Sequence, residues 1–152
     1  MKIEDEIKVS RFVNNWQQAS VNLLYTANWL NAALEKRASA FKITLPQFNV
    51  LRILRGQMPK ASTNNLLKSR MISETSDISR LVNRLEKKGY VMRSKNEADK
   101  RATDIVITDS GLALLKSMEE DMLLLDILPQ HIDEEQAALL SELLDVFRRG
   151  KE

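Results

Sequence analysis

The chain has 152 residues, 43% of them hydrophobic, enough for one folded domain with a packed core. It has no cysteine, which excludes disulfides, thiolate catalysis and cysteine redox sensing, and a single histidine, His131, cannot build a zinc site alone. The net charge of +2 hides an uneven distribution, +4 over residues 1–59, +6 over 60–101 and −8 over 102–152: a basic middle, either a solvated face or a surface for a polyanion, beside an acidic tail.

Four Gly and three Pro imply few turns and a mostly helical chain. The first residues, MKIEDEIKVSRF, are charged and hold no apolar signal core. No stretch reaches the roughly 20 apolar residues of a membrane helix, so the reading is a soluble cytoplasmic protein with no membrane partner. Residues 4–40 lack Gly and Pro and read as one long helix, apolar on more than one face. Thr44-Leu45-Pro46-Gln47 is a helix start: Thr44 caps, Gln47 reaches back, and proline costs nothing in a first turn. Phe48, Val50, Leu51 and Leu54 give that helix a core face, and it ends at Gly56.

Ser62 or Thr63 opens a short helix over residues 64–69. After a break at Arg70-Met71-Ile72, Ser73 is read as the cap of a helix running to Lys88 and stopped by Gly89. Its apolar positions, Ile78, Leu81, Val82 and Leu85, follow i, i+3, i+4, i+7 and mark a buried face. Residues 90–94 and 103–107 read as strands of a hairpin with a polar loop between them. Thr108-Asp109-Ser110 opens a helix expected to run to about Leu128, and Asp133 with Gln136 caps a last one over 134–149. Leucines crowd these two helices, too many for one intramolecular stripe, which suggests burial against a second copy.

Short helix, turn, capped helix, glycine, basic hairpin is an order that suits duplex DNA. A helix fits the major groove, where hydroxyls, amides and the fork of arginine can reach bases or phosphates. The candidate contacts on the helix pair are Ser62, Thr63, Ser73, Thr75, Ser76, Ser79, Arg80, Asn83 and Arg84. On the hairpin they are Arg93, Lys95, Asp99, Lys100 and Arg101, a thin projection able to enter a minor groove. Arg80 and Arg84 alone read equally as a solvent-facing pair; the hairpin beside them favours DNA. Asp99 is either an exposed turn residue or the partner of a nearby arginine that holds the hairpin in shape. Glu74 and Asp77 put two acids at the helix start, where they serve the helix dipole or a cytosine amine.

Ile78-Ser79-Arg80-Leu81-Val82-Asn83-Arg84-Leu85-Glu86-Lys87-Lys88-Gly89-Tyr90-Val91, then Asp99-Lys100-Arg101, then Val106-Ile107-Thr108-Asp109-Ser110-Gly111, resembles the MarR family of bacterial transcription regulators. The family's Leu-Glu-x-x-Gly, Asp-x-Arg and Leu-Thr-x-x-Gly are all present, with Ile107 in place of the last leucine; Leu45 to Leu51 matches its second helix. The resemblance implies a mainly α winged helix-turn-helix regulator of one domain over residues 1–152. Its DNA-binding lobe would occupy about 44–108, and its dimerisation helices about 4–40 and 109–149. It implies a homodimer on a pseudo-palindromic operator, acting as a repressor, with Asp99 orienting the wing and Arg101 in the minor groove. Members often answer to small aromatic or amphipathic effectors in a cleft between the two layers. Trp16, Tyr25, Trp29, Phe48 and Met118 lie on helices able to line one, with ordinary core or dimer packing as the alternative. The lack of cysteine speaks against the peroxide-sensing branch, and one histidine against the zinc-sensing branch. No cofactor, metal or enzymatic activity is expected, since no nucleophile–base pair, phosphate loop or metal spacing appears. A winged helix that docks a protein partner is the competing reading.

Overall fold

The computed structural model describes residues 1–74 and 77–150. Seven helices and one hairpin follow in chain order: α1 (Ile3–Ile7), α2 (Asn15–Ala40), α3 (Leu45–Gln57), α4 (Asn64–Arg70), α5 (Ile78–Lys87), β1 (Val91–Lys95), β2 (Thr103–Ile107), α6 (Asp109–Met122), a 3₁₀ turn (Leu128–Gln130) and α7 (Glu134–Phe147). β1 and β2 are antiparallel, with Val91 opposite Ile107 and Lys95 opposite Thr103. Ser62 adds a bridge to Ile105, exchanging backbone bonds of 2.9 and 2.8 Å. Among the described residues no helix is long and apolar enough to cross a membrane.

The core lies in the middle of the chain. Val50, Leu51 and Leu54 of α3 meet Leu67 of α4, Ile78, Val82 and Leu85 of α5, Val91 and Ile105 of the hairpin and Leu115 of α6. The capping box that starts α3 is complete: Thr44 Oγ1 accepts from the Gln47 amide and Gln47 Oε1 from the Thr44 amide. The same reciprocal pair, Asp133 and Gln136, starts α7. At the base of the hairpin, Thr108 Oγ1 donates to the Gly89 carbonyl and accepts from the Gly111 amide. A Cβ on Gly111 would stand 2.4 Å from the Tyr90 carbonyl oxygen, so the Thr-x-x-Gly pattern is a clasp that lets α6 pass close under the hairpin.

Three boundaries depart from expectation. The helix foreseen over 4–40 is two helices, because Lys8 takes a left-handed conformation and Asn14 starts α2 afresh, its side chain accepting from the Gln17 amide. The helix after the hairpin stops at Met122, not Leu128. Arg37 of α2 reaches across, donates to the Asp121 carbonyl at 2.9 Å and forks onto the Asp126 carboxylate at 2.8 and 2.7 Å. A terminal carbonyl and the turn behind it are thereby held from a residue far away in sequence. That guanidinium also holds the Asp126 carboxyl below its ordinary range. The third departure is the start of α5. Asp77, not Ser73, is its cap, accepting from the Arg80 amide at 3.0 Å.

Candidate nucleic-acid interface

α5 buries Ile78, Val82 and Leu85, which turns Ser79, Arg80, Asn83, Arg84 and Lys87 outward. One of the two acids at its start is accounted for locally, since the Asp77 carboxylate satisfies a free amide of the first turn. α4 sits before α5 as the first helix of the pair. Thr63 caps it by accepting from the Leu66 amide at 3.2 Å, so this hydroxyl already has a task. Asn64 Nδ2 donates to Ser79 Oγ at 3.1 Å and braces the two helices against each other.

The hairpin is tied to α5 by charge. Arg93 places Nη2 2.8 Å and Nε 3.2 Å from the Glu86 carboxylate. The hydrogen-bonded guanidinium holds the Glu86 carboxyl below the usual glutamate range and raises Arg93. Arg93, foreseen as a projecting cation, therefore braces the hairpin. At the tip, Asn96 Oδ1 accepts from the amides of Ala98 and Asp99, and Asn96 Nδ2 donates to Asp104 at 2.8 Å. Asp99 Oδ1 accepts from the Arg101 amide at 3.0 Å, and the Ala102 amide donates to the Asp99 carbonyl. Asp99 thus shapes the tip through backbone, not through an arginine side chain. Lys95, Lys100 and Arg101 are exposed around it. Sequence reasoning missed Asn96, although asparagine bonding its own downstream amides is the ordinary chemistry of such turns.

Other foreseen residues fall elsewhere. Ser62 is fully buried, drawn inward by its bridge to Ile105, and is removed from any outer surface. Ser73 is exposed in the segment before α5, while Thr75 and Ser76 lie outside the described residues. Of the effector candidates, Met118 is fully buried in the core and lines no cleft. Trp16 is 80% exposed on α2. Tyr25 donates its hydroxyl to Glu6 at 2.8 Å and, with Trp29, faces α1. Phe48 alone lines the cleft of about 470 Å³ between α2 and α3. Leu30, Leu34, Leu45 and Met122 supply apolar walls there, and Asn31, Glu35, Asn49 and Arg52 the polar groups. Arg52 sits 5.9 Å over the Phe48 ring. The segment leading into α5 forms one wall through Ile72 and Ser73, and Asn49 Oδ1 accepts from the Ile72 amide at 2.9 Å. Among the described residues no group of side chains is arranged to hold a metal ion.

Residues 43–103 match the family model described as MarR family. The HTH-type transcriptional regulator PecS of Dickeya dadantii is 33% identical over 94 residues, which cover 60% of this chain. The match spans 56% of that relative's length. A MarR transcription factor from Planctomyces limnophilus is 30% identical, with 91% of this chain and 98% of that one covered and a TM-score of 0.67. A MarR family transcriptional regulator from Streptomyces coelicolor, solved in complex with DNA, has the same fold: TM-score 0.78 at 22% identity, with 93% of this chain and 92% of that one covered.

Proposed function

The chain belongs to the MarR family, and from that premise we propose that it is a transcriptional regulator binding double-stranded DNA sequence-specifically as a homodimer. The observation that carries this reading is α5, a helix sealed on one face by Ile78, Val82 and Leu85 and presenting Arg80, Asn83 and Arg84 on the other. That face enters the major groove, where an amide can pair with adenine and a guanidinium with guanine. The hairpin is the wing: Lys95, Lys100 and Arg101 follow the minor groove, with Asp99 and Asn96 holding the tip in shape. Residues 44–108 form the DNA-binding lobe within a single domain.

The second copy comes from the outer helices. α7 has no buried residue and leaves Leu139, Leu140, Leu143, Val146 and Phe147 exposed. α2 exposes Trp16, Leu24 and Trp29. A lone chain does not keep such surface in water, and two copies covering it would set two lobes on a pseudo-palindromic operator. A small aromatic or amphipathic effector fits the cleft between α2 and α3, whose wall is the segment leading into α5. Its occupancy would shift lobe spacing and release DNA, as in a ligand-responsive repressor. Operator binding that is unchanged across a broad panel of phenolic compounds removes this part of the reading.

Binding at fixed salt tests the core of it. Arg101→Ala weakens duplex binding roughly ten- to a hundredfold, the worth of a charge-assisted contact, with an unchanged melting temperature. Arg80→Ala narrows the gap between preferred and random duplex. Full affinity in the Arg101 variant, or no duplex binding by the parent chain, overturns it.

A further inference from the structure

We infer that the cleft of about 440 Å³ flanked by Lys42, Arg84, Lys87 and Lys88 is a second phosphate grip. It would take the duplex backbone at the far end of α5, away from the wing. The inference rests on the DNA-binding reading and adds residues to it.

The two flanks of α5 differ. Ser79, Asn83 and Glu86 stand at i, i+4, i+7 on one flank, and protein already braces that side, through Asn64 onto Ser79 and Arg93 onto Glu86. Arg80, Arg84, Lys87 and Lys88 stand at i, i+4, i+7, i+8 on the other. Eight residues of helix rise about 12 Å, the reach of some three phosphate steps at about 3.4 Å of rise each along one strand. The cationic flank faces the turn between α2 and α3, where Lys42 adds a fourth cation to the cleft wall. All four are exposed, and among the described residues none of them takes part in an ion pair. No carboxylate lines the cleft. Like charges gathered this way repel until an anion neutralises them.

Lys42 gives an independent reason. Its φ is +61°, at the position after α2 where glycine or asparagine ordinarily sits. A lysine there breaks a local preference, and a task for its charge accounts for the exception. Lys88 is anchored beside it, its ammonium donating to the Lys42 carbonyl. The α3 N-terminus contributes little, since Thr44 and Gln47 cap it and Glu35 accepts from the Leu45 amide. The attraction is therefore that of side chains for phosphate, without base readout.

The test compares the full-length parent with Lys42→Gln/Lys87→Gln, which leaves Lys88 and the Lys42 carbonyl in place, on preferred and random duplexes across salt. Two lost phosphate contacts lower the salt slope by about 1.8, at about 0.9 each. Across a fourfold rise in salt, the parent then loses about tenfold more affinity than the variant. The loss of affinity at low salt is the same for preferred and random sequence. A variant with the parent's slope, its helix content and melting unchanged, overturns the inference while leaving the DNA-binding reading intact. A parent that binds no duplex overturns that reading itself. Inorganic triphosphate provides a further arm. If it binds the parent but not the variant while duplex slopes agree, the cleft serves a free polyphosphate and the inference is wrong.

Discussion

The lobe from α3 to β2 and the outer helices solve burial in opposite ways. The lobe closes on itself: Val50, Leu51, Leu67, Val82, Leu85 and Ile105 are all completely buried within one chain. α2, with 26 residues, buries only Ala38, and α7 buries nothing. The lobe's apolar residues are matched to each other, whereas those of α2 and α7 await a surface that a single chain does not contain. The difference separates two kinds of stability, one intrinsic and one dependent on protein concentration.

The largest expected effect breaks the lobe. Leu51→Ala removes a fully buried side chain and lowers unfolding free energy by about 2–5 kcal/mol, to the same extent at every protein concentration in denaturant melts. Leu143→Asp acts on the other region. Leu143 is 56% exposed in one chain, so the substitution leaves the lobe folded. In a symmetric pair it buries an uncompensated charge, worth about 3–5 kcal/mol of lost association, and sedimentation then finds monomer. An unchanged dimer, or a lobe that unfolds regardless of concentration, breaks the comparison.

The smallest effect concerns the tie between wing and α5. Arg93 depresses the Glu86 carboxyl in the folded chain. That contribution is complete above the unfolded glutamate value of about 4.3 and is lost as pH falls through the lower folded value. Wild type and Glu86→Gln therefore differ slightly in wing amide protection at neutral pH and converge in acid. A gap that persists below pH 3 removes the ion pair as the cause. Both groups are partly exposed, which keeps the effect modest.

The same contrast explains what was legible in the sequence. Thr44 with Gln47, Asp133 with Gln136, the period of Ile78, Val82 and Leu85, and the strand Thr103–Ile107 are local signals, and each structure they announce is present. The misjudged features depend on partners distant in the chain or on competition between nearby caps. The end of α6 is set by Arg37, and the burial of Ser62 by Ile105. Ser73 lost the start of α5 to Asp77, which stands immediately before the first helical residue. At the candidate site, Arg80, Asn83, Arg84 and Arg101 are exposed as their pattern suggests. Arg93 is held by Glu86, a cross-element pair that no spacing rule in one segment reveals. The aromatic residues of α2 were the least legible, because an apolar side chain on a long helix looks the same whether it lines a cleft or faces a second copy.

The central claim is that α5 and the wing read duplex DNA from a two-fold assembly. Selection of bound duplexes from a random pool tests it most directly. The account predicts enrichment of a pseudo-palindrome whose half-sites are centred about 10–10.5 base pairs apart, the spacing of successive major grooves on one face. A pool that shows no enriched sequence, or a single half-site without a symmetric mate, contradicts it.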